Sequence, residues 1–260
     1  MNYNEFFREG CEELLNSSKY FYLAILGSRN ILPYTQDTLF ELFEEISNFP
    51  HIVIVSGGMY GVDIFSQNLA LKYNLGCISF LPCGIDVYKR SFLYKSVNVK
   101  PNSKFLMVSK FNYDFQSRKY SYLERNKQII DFSDVILIAQ SGLKSGSYFS
   151  GNRALEVSKK TFCIPISLNN GKFSGNNYLI SKGADVYLSP LEFLKKIGFD
   201  KYKGIDKEEI LKLLPISKDN LIKNFSDTEV GVVENLLLEL ILKGEIFYEN
   251  GVISKLEGDS

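Results

Sequence analysis

Short turns built from glycine and serine recur along this chain of 260 residues, and the first three follow apolar runs with strand character. A strand, a tight small-residue turn and then a helix is how an open α/β sheet presents backbone N–H groups to anionic oxygens at its carboxyl edge. Cationic side chains accompany the turns, so the sequence predicts a phosphate-bearing ligand. The turns are Gly27-Ser28-Arg29, Ser56-Gly57-Gly58, Cys83-Gly84-Ile85 and Ser145-Gly146-Ser147, and the cations are Arg29, Arg90, Arg125, Lys127 and Lys144.

Apolar runs of strand length alternate with amphipathic segments of helical period over most of the chain. This alternation predicts a mostly parallel, doubly wound α/β sheet. We expect strands at 20–26, 52–55, 77–81, 104–108, 135–139, 162–166 and 186–188. We expect helices at 35–48, 63–73, 120–131 and 154–159, and a short N-terminal helix at 5–16, where apolar residues follow helical spacing.

The composition changes after Lys196, which predicts a second, smaller domain. We expect a short N-terminal helical segment at 1–19, the sheet domain at 20–196, a linker at 197–206 and a winged-helix-like domain at 207–260. Three helices precede Asn250-Gly251, a dipeptide that strongly favours a hairpin turn. The third helix is acidic, with Glu229, Glu234 and Glu239, which disfavours a major-groove recognition helix and favours a protein–protein role.

The totals exclude several functional classes. Thirty basic residues balance thirty acidic ones, so any attraction to nucleic acid must come from a local basic groove. Four cysteines without metal or redox spacing predict a reduced cytoplasmic protein with buried thiols at Cys11, Cys77, Cys83 and Cys163. The single histidine, His51, argues against histidine-based triads and metal sites. We expect no cofactor, no signal peptide and no membrane span.

Two of the turns have both a binding and a structural interpretation. Arg29 can fork onto two phosphate oxygens, or it can be a solvated arginine at a strand exit. In the stretch 56–63, three glycines predict positive φ or close backbone approach. Asp63 lies at a helix start, where we expect a structural cap rather than a catalytic carboxylate.

The remaining cations lie in three stretches. Segment 82–90 carries Lys89 and Arg90 behind a tyrosine, which suits stacking on bases but also a solvated loop. Arg125 and Lys127 are two positions apart, so we expect one to reach the groove and the other to pair with a carboxylate such as Glu124 or Asp131. Lys144 precedes a helix start suited to an anion, with Tyr148 available for stacking. Stretch 175–184 is interpreted as structural.

Six motifs, in order over residues 20–190, resemble the DNA processing protein A (DprA, or Smf) family. They are Leu-Gly-Ser-Arg at 26–29, Ser-Gly-Gly-Met-Tyr-Gly-Val-Asp at 56–63, Cys-Gly-Ile-Asp-Val-Tyr at 83–88, Glu-Arg-Asn-Lys-Gln-Ile-Ile at 124–130, Leu-Lys-Ser-Gly-Ser at 143–147 and Gly-Asn-Asn-Tyr-Leu-Ile-Ser-Lys-Gly-Ala at 175–184. Each motif alone is weak, whereas six in order are specific.

The resemblance implies an extended Rossmann domain that binds single-stranded DNA, forms a homodimer and loads the RecA recombinase during natural transformation, without catalysis. It also implies a frequent C-terminal winged-helix-like domain. Together with the patterns above it gives a set of expected nucleic-acid-binding residues. They are Gly27, Ser28, Arg29, Ser56, Gly57, Gly58, Tyr60, Lys89, Arg90, Arg125, Asn126, Lys127, Lys144, Ser145, Gly146, Ser147 and Tyr148.

The chain also departs from the pattern of the family it resembles. Tyr60 stands where a basic residue is usual, Gln67 where a histidine is usual and Lys89 where a proline is usual. Two alternatives remain open at this stage. One is an enzyme of the lysine-decarboxylase-like phosphoribohydrolase group, although the loop 141–147 lacks that group's Pro-Gly-Gly-x-Gly-Thr motif. The other is a small-nucleotide sensor that uses the same sheet edge.

Overall fold

The computed structural model describes residues 6–199, 207–225 and 227–256. The chain divides into two compact units, residues 1–197 and residues 198–260, and each is described by itself. Residues 200–206, which are most of the predicted linker, lie outside the described residues.

The first unit is built on one eight-stranded sheet, with strand order β1-β5-β4-β3-β2-β6-β7-β8. Strands β2 to β8 pair in parallel, and β1 pairs with β5 in the antiparallel sense. The predicted mostly parallel α/β sheet is therefore confirmed. The strands are β1 (Phe7–Gly10), β2 (Phe21–Gly27), β3 (Ile52–Ser56), β4 (Gly76–Leu81), β5 (Phe105–Ser109), β6 (Val135–Gln140), β7 (Lys160–Cys163) and β8 (Asp185–Val186).

The central strands β3, β4, β5 and β6 are buried along their whole length, as expected for parallel strands covered on both faces. Helices fill the connections between them. The helices of this unit are α1 (Pro33–Ile46), α2 (Val62–Lys72), α3 (Ile85–Arg90), α4 (Phe92–Lys95), α5 (Lys119–Phe132), α6 (Gly146–Glu156), α7 (Gly175–Ser181) and α8 (Pro190–Lys196). In α1 the buried residues Leu39, Leu42, Phe43 and Ile46 follow one helical face.

The strand order reverses at β2. The chain first builds outward from β2 through β3, β4 and β5, and then returns to place β6, β7 and β8 on the other side of β2. The carboxyl ends of β2 and β6 therefore flank a topological switch point. In open α/β sheets this is where the connections diverge and leave a crevice for a ligand.

The predicted N-terminal helix over 5–16 is wrong for its first half. Phe7–Gly10 forms β1, which pairs with the outer edge of β5, and only Glu12–Leu15 forms a short 3-10 helix. Apolar spacing alone favoured a helix here, but the unpaired edge of β5 offers backbone partners that a local pattern cannot reveal. Residues 1–5 lie outside the described residues.

The second unit has the element order of a winged helix. A three-stranded antiparallel sheet, of strand order β10-β11-β9, packs with the helices around a core that includes Ile210, Leu221 and Leu240. Asn250 and Gly251 both have positive φ (51° and 83°), as a tight hairpin turn requires. The elements are α9 (Lys207–Leu213), β9 (Ile216–Ser217), α10 (Lys218–Ile222), α11 (Asp227–Leu242), β10 (Ile246–Glu249) and β11 (Val252–Lys255).

Three of the four thiols are buried. Burial raises the pKa of Cys83 to about 11 and that of Cys163 to about 12, and it raises the pKa of Cys77 as well. The prediction of buried thiols is wrong for Cys11, which is partly exposed beside β1. Among the described helices, none combines the length and apolar character needed to cross a bilayer.

Candidate functional site

A cavity of about 410 Å³ opens at the switch point between the turn that follows β2 and the start of α6. Eight of the predicted site residues line it: Gly27, Ser28, Arg29, Arg125, Asn126, Ser145, Gly146 and Ser147. They come from three separate sequence motifs, which the sheet brings to one edge. Leu26, Met59, Asp63, Tyr122 and Ser150 complete the wall.

The turn after β2 carries an exposed arginine on a fixed backbone. Gln140, buried at the end of β6, accepts hydrogen bonds through Oε1 from the Leu32 backbone N–H at 2.9 Å and the Thr35 hydroxyl at 2.9 Å, and its Nε2 donates to the Asn30 carbonyl at 2.6 Å. One side chain therefore fixes the part of the loop that follows Arg29 and leads into α1. Arg29 makes no ion pair with any described residue, so its guanidinium is available to a ligand.

The start of α6 forms the opposite wall. The Ser145 hydroxyl caps the helix by accepting from the Tyr148 N–H at 3.2 Å, and it lies 3.0 Å from the Ser147 hydroxyl. The first N–H groups of an α-helix have no partner within the helix, and they carry the positive end of its dipole. In this eleven-residue helix they belong to cavity-lining residues, beginning with Gly146. An anionic oxygen in the cavity would meet these donors on one side and Arg29 on the other.

A buried charge pair forms another part of the wall. Arg125 is only 5% exposed, and its Nη1 donates to the carbonyls of Gly57 and Phe80 and lies 4.0 Å from Asp63 Oδ2. Burial raises the pKa of Asp63 to about 6, an effect that Arg125 opposes, while burial also lowers the pKa of Arg125. Asp63 Oδ2 accepts from the Met59 N–H at 3.4 Å, which lies outside the helix. The expected helix cap is therefore wrong, since Gly61 is the residue that precedes α2 and Asp63 lies within its first turn.

The turn after β3 is buried rather than exposed. Ser56 donates to the Ile25 carbonyl at 3.1 Å, a Cβ on Gly57 would collide with the Arg125 guanidinium, and a Cβ on Gly58 would meet the Tyr88 hydroxyl. The expectation that these three residues offer backbone donors to a ligand is therefore wrong in this conformation. Close backbone approach and positive φ were correctly predicted, with φ of 68° at Gly58.

The predicted cations outside the cavity differ in their partners. Lys89 Nζ lies 2.6 Å from Glu9 Oε1. Lys127 Nζ lies 3.7 Å from Glu124 Oε1, as expected if one of the two cations Arg125 and Lys127 pairs with a carboxylate. Arg90 and Lys144 are exposed and, within the described ranges, make no ion pair. The segment Ile85–Arg90, expected as a loop, is the helix α3.

The two predicted stacking tyrosines have different surroundings. Tyr148 packs against the core, its hydroxyl lies 3.2 Å from Lys182 Nζ, and that ammonium also lies 5.5 Å from the ring centroid. The hydroxyl end of the Tyr148 ring is therefore already in contact with a cation. Tyr60, by contrast, is 44% exposed and lies outside the cavity wall.

Comparison with known proteins assigns this fold and these motifs to one family. The family described as DNA recombination-mediator protein A matches residues 5–198. The chain belongs to that family. DNA processing protein DprA of Streptococcus pneumoniae is 26% identical over 74% of this chain and 66% of its own length. Protein Smf of Escherichia coli is 29% identical over 82% of this chain and 59% of its own length. The chain thus spans about three fifths to two thirds of these curated relatives.

A solved structure of a family member agrees with the fold. DNA processing protein A from Helicobacter pylori, reported for its single-stranded DNA binding mode, superposes with a TM-score of 0.65 and 33% identity, over 74% of this chain and 86% of that one. The match has the same coverage of this chain as the curated Streptococcus relative, about three quarters.

Two polar residues that the sequence comparison singled out serve the interior. Asn176, in the 175–184 motif, donates through Nδ2 to the carbonyls of Ile138 at 3.0 Å and Ile164 at 2.8 Å, which fixes α7 to the ends of β6 and β7 and confirms its structural role. Gln67, where histidine is usual in the family, donates to the buried Ser79 hydroxyl at 3.0 Å. Sequence analysis missed Gln140, whose only signal was a polar residue at the end of an apolar strand.

Proposed function

We propose that this chain binds single-stranded DNA along the carboxyl rim of its sheet and acts as a recombination mediator. The observation that carries the proposal is the cavity at the switch point, whose wall contains both a helix start and an arginine without an ion pair in the described part of the chain. The family assignment supports the same function, as does the single-stranded DNA binding reported for the Helicobacter relative.

In the proposed mechanism the contacts are to phosphates. The Arg29 guanidinium forks onto two oxygens of one phosphate, and the first N–H groups of α6 donate to a neighbouring oxygen. Lys144, directly before Ser145, is exposed and adds a cation next to the start of α6. Each neutralised phosphate releases counterions, so affinity falls steeply as the salt concentration rises.

The proposal includes partners beyond the strand. By family membership we propose a homodimer that loads the RecA recombinase onto incoming DNA in natural transformation, with no chemical step on the DNA. Binding and orientation then suffice, because the recombinase performs the strand exchange. Asp63, a carboxylate in the cavity wall, is already engaged by Arg125 and the Met59 backbone, which suits a wall rather than a general base.

The test is a double substitution, Arg29→Ala with Lys144→Ala, measured by fluorescence anisotropy with labelled single-stranded oligonucleotides. We expect a loss of affinity of about 100-fold at low salt and a salt slope lower by about two. The matched control is Lys72→Ala with Lys160→Ala, since the end of α2 and the start of β7 lie at the opposite edge of the sheet. Equal affinity of wild type and the rim variant would contradict the proposal.

Oligonucleotide length separates this function from a small-nucleotide sensor. A groove that holds several phosphates gains affinity with each added nucleotide until the groove is filled. A sensor would bind a mononucleotide as tightly as an oligonucleotide. Calorimetric titration of mononucleotides and of oligonucleotides of increasing length therefore decides between them, and a flat response would overturn the DNA-binding proposal.

A further inference from the structure

Two exposed aromatic rings lie together on the rim, outside the cavity. The rings of Tyr60 and Phe92 have centroids 6.1 Å apart and planes inclined by 36°. Tyr60 is 44% exposed and Phe92 is 69% exposed, so both present ring faces to solvent. Sequence analysis singled out Tyr60 and did not consider Phe92, because the two residues are 32 positions apart.

The backbone around both rings is fixed by buried contacts. Tyr60 follows the buried glycine turn after β3, and Phe92 is the first residue of α4. The Tyr88 hydroxyl, which is buried, donates to the Gly58 carbonyl at 3.1 Å and so joins the two segments. Ser91 donates to the Tyr88 carbonyl at 2.6 Å and accepts from the Tyr94 N–H. The backbone positions from which both rings project are therefore fixed in the absence of a ligand.

The pair adjoins the proposed phosphate contacts. Gly61 packs so closely on the turn after β2 that a Cβ there would lie 2.1 Å from the Ser28 carbonyl oxygen, and the Val62 N–H donates to that oxygen at 3.1 Å. Tyr60 thus precedes, in the chain, a glycine that packs against the backbone that carries Arg29. On the other side, Arg90 lies two residues before Phe92 and, like Arg29, has no ion-pair partner among the residues described.

We infer that Tyr60 and Phe92 form a stacking surface for unpaired nucleobases of the strand whose phosphates lie beside Arg29 and Arg90. The inference rests on the proposed function and names the part of the strand that this surface binds. Exposed aromatic faces flanked by free cations match a polyanion that carries flat aromatic groups. A duplex hides those faces in its own stack, so this surface selects single-stranded over double-stranded DNA.

Phe92→Trp tests the inference directly, because the chain contains no tryptophan and the new indole would be its only one. We expect indole emission to be quenched by a single-stranded oligonucleotide and to stay unchanged with an abasic oligonucleotide of the same phosphate count. Tyr73→Trp is the matched control, since Tyr73 follows the last turn of α2 at the opposite edge of the sheet.

A second variant measures the contribution to affinity. Phe92→Leu keeps an apolar side chain at an exposed position, so we expect it to fold normally and to weaken binding of the base-containing oligonucleotide about tenfold. The abasic oligonucleotide should bind both proteins equally.

The outcomes separate the two proposals. Anisotropy that reports binding without quenching of the Phe92→Trp emission, or an unchanged affinity for Phe92→Leu, overturns the stacking surface and leaves the phosphate groove intact. Absence of binding by the wild-type chain to either oligonucleotide overturns the proposed function, and the stacking surface with it.

Discussion

Two neighbouring turns on the same sheet edge are each associated with an arginine of the cavity wall, and the two arginines have opposite surroundings. The turn after β2 carries Arg29 outward, where it has solvent and no partner in the described ranges. The turn after β3 closes around Arg125, which is 5% exposed and holds the Gly57 carbonyl. The difference shows that a cation in a binding site can be either a contact or part of the wall that shapes the contact.

The physical basis of the difference is desolvation. A buried guanidinium is costly unless it is paired, and Arg125 Nη1 meets two carbonyls and a carboxylate, while Nε is buried without a partner among the described residues. Arg29 remains hydrated, so its interaction with a phosphate is gained only when a ligand arrives. Substitution should therefore affect stability at one arginine and binding at the other.

The largest expected effect is that of Arg125→Met. The substitution leaves Asp63 as an uncompensated buried carboxylate and removes the donor to two carbonyls, so we expect a loss of about 3–5 kcal/mol in the free energy of unfolding. Arg29→Ala should change that free energy by less than about 0.5 kcal/mol. Urea denaturation followed by circular dichroism measures both. Equal stability losses for the two variants would contradict the assignment of Arg125 to structure and of Arg29 to binding.

The next effect is a pH dependence carried by Asp63. Burial raises its pKa in the folded state to about 6, whereas the unfolded value is about 3.9. Between these values the folded protein binds more protons than the unfolded chain. The contribution of this carboxyl to stability is therefore full below about pH 4 and is lost as the pH rises through about 6, by about 3 kcal/mol.

Asp63→Asn isolates this contribution, since the amide does not titrate. We expect the unfolding free energy of the wild type, minus that of Asp63→Asn, to decrease between about pH 4 and pH 6 and to level off above. A difference that rises over this range would mean that Arg125 lowers the pKa of the carboxyl below its ordinary value. The attraction between Asp63 and Arg125 would then outweigh the cost of burying the Asp63 carboxylate.

The smallest effect separates the adjacent cations of α3. The ion pair of Lys89 with Glu9 is exposed on both sides, so we expect Lys89→Ala to cost at most about 1 kcal/mol in stability. Arg90→Ala should leave stability unchanged and lower the salt slope of DNA binding by about one. A larger loss of binding for Lys89→Ala than for Arg90→Ala would show that the pair with Glu9 opens when a strand binds.

Much of the fold was predictable because its information is local. The strand that ends at Gly27 is an apolar run followed by a small-residue turn. The helix that starts at Val62 is a segment that follows such a turn. The N-terminal segment failed for the opposite reason. Phe7–Gly10 becomes a strand only because the edge of β5, almost 100 residues later in the chain, lies beside it.

The site was predictable in its residue types and less so in their orientation. The motifs at 27–29 and 145–147 were expected together, and they do line one cavity. What sequence could not give was the burial of Arg125, which depends on Asp63, 62 positions earlier in the chain. Gln140 was missed for the same reason, because its three partners lie in the loop after β2 and in the first turn of α1.

The uneven burial of the thiols has a practical consequence for measurements on this chain. Cys77, Cys83 and Cys163 are enclosed and keep their protons, so a maleimide reagent finds little thiolate there. Cys11 is the partly exposed thiol of the four. A single dye can therefore be attached beside β1 in the unaltered chain, far along the sheet order from the cavity, to report binding without disturbing the residues that perform it.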